Sequence, residues 1–196
     1  MKEHGVPDWY IESCRKIQYL FPKAHAVAYV MMAFRIAWFK VHRPLAFYSA
    51  YFYRRSQKDG FDAEFMTRGI ETVKAKIMEI RNNPDASAKE EDLLTTLEAC
   101  YEFYKRGFEF SGVDLYRSDA VKFKIDGNKL IPPFVAVSGL GETAAKDLAE
   151  VRDRMEFISI EDITNYCSKI SKAHIEQLKK LGALGDLPDT GQITLF

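Results

Sequence analysis

Residues 134–153 read FVAVSGLGETAAKDLAEVRD, and the fold turns on what the glycines in that stretch do. A short apolar lead-in meets Gly139-Leu140-Gly141, and a helical pattern with Ala144, Ala145 and Leu148 follows. This is the pattern of a helix–hairpin–helix. Glycines let the hairpin backbone come close to a ligand, and the amides that open the next helix face outward. Such amides bind a phosphate oxygen at the positive end of the helix dipole. They read the nucleic-acid backbone and not the bases, so they give affinity without sequence preference. An ordinary tight turn before a helix has the same look, and the residues alone leave both readings open. The candidate contacts are Ser138, Gly139, Leu140 and Gly141. A second copy follows in SKISKAHIEQLKKLGAL, residues 168–184, with its hairpin at Ile170-Ser171-Lys172. It has no hairpin glycine, so it is expected to pack more than it binds, with Lys172 as its contact.

Upstream of this stretch, VDLYRSDAVKFKIDGNKLI at 113–131 alternates at Val121, Phe123 and Ile125 and resumes at Leu130-Ile131 around a DGN turn. That is a β-hairpin signature. Before Gly107 the periodicity is helical throughout. One helix runs over 8–21, capped by Asp8 and broken by Pro22. A long one covers 23–42 and is stopped by Pro44. Others run through LAFYSAYFYRR (45–55), 63–81 and 88–106. After the hairpin, short helices are expected at 142–154, 160–165 and 172–181. The fold class is therefore mainly α: a helical segment, a small β-hairpin near 121–131 and a tandem helix–hairpin–helix region. The boundaries fall at 1–106, 107–186 and 187–196, with the seam near Gly107 and the last piece a flexible tail.

Composition is that of a globular chain: 196 residues, 47% hydrophobic and 29% charged. Cys14, Cys100 and Cys167 lie far apart with no CxxC, as expected of buried thiols in a reducing, cytoplasmic compartment. No secretory signal opens the chain, and AVAYVMMAF is too short to cross a bilayer. The net charge of zero hides an asymmetry. From Tyr10 to Lys58 there are nine Lys and Arg against one acid, a balance of +8, so the remainder sums to −8. Half of the 26 aromatics also fall between Trp9 and Tyr53. A basic, aromatic-rich quarter suits an anionic ligand.

Within that quarter, Phe21, His25 and Tyr29 are spaced by four, and His25 and Tyr29 share a helix face. A His–Tyr pair beside Lys23 and Lys40 can stack on a base and hold a phosphate. An amphipathic core helix with inward aromatics fits the same spacing. The chain offers no DxD, HExxH, Walker loop or GxSxG, and its four histidines are scattered. Glu90, Glu91 and Asp92 open a helix, where acids suit the dipole and stay solvated. No catalytic and no metal-binding residue is therefore assigned. The free end, PDTGQITLF at 188–196, places Leu195 and Phe196 on a terminus, either folded back or offered to a partner.

Residues 6–52, VPDWYIESCRKIQYLFPKAHAVAYVMMAFRIAWFKVHRPLAFYSAYF, closely resemble the fingers of the PolC-type replicative DNA polymerases. Residues 106–145 resemble the lead into that family's duplex-binding tandem helix–hairpin–helix, and QITLF resembles its terminal clamp motif. The resemblance covers essentially the whole chain. It implies the last part of a much larger DNA-directed DNA polymerase, whose palm, with the catalytic aspartates and magnesium, lies upstream. The isolated chain is then inactive. The resemblance puts Phe21, His25, Tyr29 and Lys23 at the incoming deoxynucleoside triphosphate, and Ser138 to Gly141 with Lys172 on duplex DNA. It puts Gln192, Leu195 and Phe196 on the sliding clamp. Two departures stand out: Ser138 replaces a common proline, and Ile193-Thr194 replaces Leu-Ser. The implied partners are duplex DNA, nucleotide, clamp and palm, with no membrane and a cytoplasmic location. A stand-alone DNA-binding or clamp-interacting adaptor is the alternative, and a helical protein-interaction module is a third.

Overall fold

The computed structural model describes residues 1–17, 22–57 and 60–191. Phe21 of the nucleotide face and Gln192, Leu195 and Phe196 of the clamp motif lie outside the described residues. The fold is mainly α, as expected, and the chain divides into two compact units, residues 1–42 and 43–196.

The first unit holds α1 (Asp8–Lys16) and α2 (Lys23–His42). Asp8 is the first helical residue of α1 and Pro7 is its N-cap, with no side-chain cap bond, so the expected Asp8 cap is absent. Ile11 is the one buried residue of α1. In α2 the expected bounds hold, and none of its residues is buried. The stretch read as too short to cross a bilayer belongs to a 20-residue helix. Among the described residues, it is the one helix long and apolar enough to do so by length and composition. The nine-residue count missed this because the helix runs on past Arg35.

In the second unit, α3 (Pro44–Ser56) carries Pro44 in its first turn, where a missing N–H costs nothing. The single helix expected over 63–81 is two, α4 (Ala63–Met66) and α5 (Ile70–Arg81). Gly69 separates them at φ +96°, a conformation no helix continues through. The α6 helix (Ala88–Lys105) starts on a capping box, Ser87 with Glu90. Here the acids do more than sit in solvent: Glu90 bonds the Ser87 amide at 2.8 Å, and Asp92 pairs with Arg55 at 2.9 Å.

The β-hairpin forms as expected, β2 (Lys124–Asp126) antiparallel to β3 (Lys129–Ile131), turning at Gly127 with φ +60°. A third strand, β1 (Glu109–Phe110), pairs parallel to β3. Two residues have no period to read, so sequence patterning missed it. Three helices finish the unit: α7 (Glu142–Arg154), α8 (Ile160–Tyr166) and α9 (Lys172–Lys180).

The expected seam at Gly107 does not separate one body from another. Tyr48 and Phe52 of α3, Phe61, Phe103 of α6, Phe110 of β1 and Phe123 are all buried together. Phe103 and Phe110 stand 4.6 Å apart between centroids across that seam. The change from helical to alternating pattern marks a change of secondary structure within one core. The proposed tail also starts too early. The carbonyls of Pro188 and Asp189 accept from the amides of Ile160 and Glu161 at 2.9 and 3.1 Å, and Lys179 pairs with Asp189. Residues 187–189 are therefore tied to α8 and α9.

Because one core spans residues 48–123, Phe52→Ala should cost about 3–5 kcal/mol. Urea denaturation followed by circular dichroism should show a single, earlier transition for residues 43–191. A second transition left at its original midpoint would restore the seam at Gly107.

Candidate nucleic-acid interface

Phe134–Ala136 forms one turn of 3-10 helix, buried at Phe134 and Ala136, and the chain then reverses through 138–141 into α7. Leu140 is 2% exposed, and its amide donates to the Val137 carbonyl at 3.0 Å. This pins the hairpin from below. Leu140 thus serves as its anchor, and its side chain is not available to a ligand, contrary to its place among the candidate contacts. Ser138, Gly139 and Gly141 are exposed.

The two glycines have different reasons to be glycine. Gly139 sits at φ +81°, where a side chain is strained. Gly141 has an ordinary φ of −65° and caps α7, and a Cβ there would meet open space. What Gly141 keeps clear is the space outside the fold. The amides of Gly139, Gly141, Glu142 and Thr143 donate to no described residue, and Gly141 offers no side-chain cap. A row of open N–H groups at a helix start is suited to a phosphate oxygen.

Buried bonds hold α7 to the frame beneath. Arg152, its side chain 9% exposed, donates to the Leu115 carbonyl at 3.1 Å and to the Ser118 carbonyl. Its guanidinium also lies 5.7 Å from the Phe134 ring centre. The Ser118 hydroxyl donates to the Pro132 carbonyl at 2.7 Å and accepts from the Asp114 amide. Neither residue stood out in the sequence, where an arginine on an amphipathic helix reads as surface.

The second motif follows α7 closely. Asp147 of α7 accepts from the Lys169 amide at 2.7 Å. Ile170 is buried, and Ser171 caps α9 in a reciprocal pair with His174. Lys172 is exposed on the first turn of α9. This hairpin packs through Ile170, as its lack of glycine implied. Nearby, burial pushes the Cys167 thiol up to about 12, and burial likewise raises Cys100. Both are unreactive, as expected of structural thiols.

Beside the first hairpin lies a cleft of about 520 Å³, lined by Val137 to Gly141 together with Asp62, Lys89 and Leu93. Burial raises the Asp62 carboxyl above its usual range, although that group accepts from the Glu64 amide. In the first unit, the His25 and Tyr29 rings stand 4.5 Å apart, edge to face, with Tyr29 65% exposed and Lys23 also exposed. The shared face is present, and Tyr29 stands open on it. No group of three or more His, Cys, Asp or Glu among the described residues could hold a metal ion.

Residues 107–192 match the family model described as a helix-hairpin-helix motif. Curated relatives match the chain over its whole length. They are the DNA polymerase III PolC-type proteins of Bacillus cereus, 54% identical, Halalkalibacterium halodurans, 52%, and Bacillus subtilis, 50%. In sequence, the chain is homologous to one segment of PolC-type DNA polymerase III. It spans 14% of the length of these relatives. The helix–hairpin–helix reading of the glycines at 139 and 141 thus stands over that of an ordinary turn.

The two glycines predict responses of different size to a methyl group. Gly139→Ala should lower stability by about 1–2 kcal/mol through left-handed strain. Gly141→Ala meets no such strain and should cost about 0.5–1 kcal/mol as a poorer N-cap. Thermal melts of the two variants check this, and equal losses would refute the assignment.

Proposed function

We propose that this chain works as the C-terminal part of a replicative DNA-directed DNA polymerase, gripping duplex DNA, the incoming nucleotide and the sliding clamp. The observation that carries the reading is the open hairpin of a helix–hairpin–helix in a chain about half identical to PolC-type proteins along its entire length. The Gly139 and Gly141 amides and the start of α7 take a phosphate of the duplex, and Lys172 adds a charge from the second motif. His25, Tyr29, Lys23 and Phe21 take the nucleotide. Gln192, Leu195 and Phe196 take the clamp, with Gln192 fixing register by amide hydrogen bonds. Magnesium and the carboxylates that hold it belong to the palm, outside this chain.

A cytoplasmic, non-membrane setting goes with this reading. Arg35 lies near the middle of α2, where a charge costs about 2.5–3.5 kcal/mol in a bilayer. A helix that is apolar on all sides belongs inside a larger protein body. Val27, Val30, Phe34, Ile36, Phe39 and Val41 are each about half exposed or more, and the polymerase palm is the surface proposed to cover them.

Duplex binding tests the DNA-gripping role. The 196-residue chain should bind duplex DNA without sequence preference, more weakly as salt rises, because displaced counterions drive association. Gly141→Val should weaken binding at least tenfold while the chain stays folded, its stability lowered only by about 1 kcal/mol as a poorer N-cap, since the space it fills lies outside the fold. Titration by fluorescence anisotropy reads both. Binding independent of salt, or none, would leave the hairpins a packing role.

A clamp titration tests the tail. The intact chain should bind the sliding clamp with a Kd on the order of micromolar, about −8 kcal/mol. A chain ending at Gly191 should lose that binding and keep its melting temperature. Equal affinities, or a large drop in stability on truncation, would reject the clamp assignment.

A further inference from the structure

We propose that Lys89, on α6, is a phosphate-binding residue of the duplex interface, closing across the cleft on the phosphate held by the Gly139–Gly141 hairpin. The inference rests on the duplex-binding reading above and adds a residue outside the helix–hairpin–helix motif.

Three observations converge on it. First, Lys89 lines one cleft with Ser138, Gly139 and Gly141, which are about fifty positions away in sequence. Its volume of about 520 Å³ admits a phosphate and its sugar from the edge of a duplex. Second, Lys89 is exposed, and no carboxylate among the described residues forms an ion pair with it. Two of the acids that follow it are engaged elsewhere, Glu90 in the Ser87 cap and Asp92 with Arg55. Third, Lys89 occupies the second position of α6, counting from the Ser87 N-cap. A cation there meets the positive end of the helix dipole, and an acid would suit the helix better. The position is therefore poor for the fold and good for an anion. The open amides of the hairpin supply directional donors, and the Lys89 ammonium of the same cleft supplies a mobile charge.

Asp62 lines the same cleft and works against an anion there. Burial disfavours its carboxylate, while the charges of Lys180 and of Lys89 itself favour it without a direct ion pair to Lys89. Asp62→Asn keeps an oxygen to accept from the Glu64 amide, so the α4 cap survives while the opposing charge is removed.

The test is a duplex titration of the 196-residue chain by fluorescence anisotropy at several salt concentrations, with a melting curve for each variant. Lys89→Gln should weaken binding about fivefold at low salt and make the salt slope shallower by about 0.9, one phosphate contact. Lys89→Glu should weaken it further with little change in melting temperature, because the gain from an acid at the helix start is offset by repulsion from Asp62. Asp62→Asn should tighten binding two- to fivefold. If one phosphate is shared, Lys89→Gln and Gly141→Val combined should cost clearly less than the product of their separate effects. Wild-type binding with an unchanged slope in Lys89→Gln would overturn the inference and leave the duplex reading intact. Strict multiplicativity of the two variants would also overturn it, placing Lys89 at a different contact. Absence of duplex binding by the wild-type chain would overturn both.

Discussion

Phe52 has no exposed surface, and around it stand the rings of Tyr48, Phe61, Phe103, Phe110 and Phe123. These rings come from α3, the loop after it, α6, β1 and the approach to β2. Each alone is an aromatic on a short, marginal element. A two-residue strand and a three-residue hairpin have no independent stability in water. Packed against one another at 5–6 Å, the rings bury large apolar areas and lock the elements together. Tyr104 extends the lock at its edge: its hydroxyl donates to the Met66 carbonyl at 2.8 Å and accepts from the Gly69 amide at 3.2 Å. It thereby satisfies backbone groups that the break between α4 and α5 leaves open.

That frame is what makes an open hairpin possible further along. Unpaired amides on a mobile loop would bind solvent in many conformations and hold a phosphate poorly. Here the hairpin is fixed on three sides. Leu140 anchors it from below, Arg152 ties α7 to the carbonyls of Leu115 and Ser118, and Asp147 fastens the following motif. The exposed amides of Gly139 and Gly141 are then presented in a fixed orientation, so binding requires little ordering. Rigid support also explains why the second motif can give up its glycines. Its buried Ile170 and its Ser171–His174 cap give it a supporting role under the first.

The first unit shows the opposite balance. Its α2 helix carries Val, Met, Phe, Ile and Trp side chains on every side, and none of its residues is buried. Water-exposed apolar area of that extent is unfavourable by tens of cal/mol per Å². Its basic residues, Lys23, Arg35 and Lys40, interrupt the apolar surface without forming a polar face.

Much of this was legible from residue order alone. The positions of α2, α6, α7 and α9, the turn at Gly127 and the glycine hairpin at 139–141 follow from local rules. Prolines stop helices, glycines turn chains, and side chains repeat with the period of their own element. The likeness to PolC-type proteins also follows from order alone, since the chain matches them over its whole length at 50–54% identity. Other features depended on which elements meet. The Gly107 seam vanished because Phe103 and Phe110, seven positions apart, face one core. The α4–α5 break came from a single left-handed glycine inside a helical pattern. Strand β1 exists only because β3 lies beside it. Leu140 turned inward and Arg152 became a buried tie, while Lys89 came to line a cleft with a hairpin fifty residues away. Local sequence sets the torsions a segment prefers, and those it states plainly. Which surfaces touch is a property of the packed chain, where distant side chains compete for the same buried space.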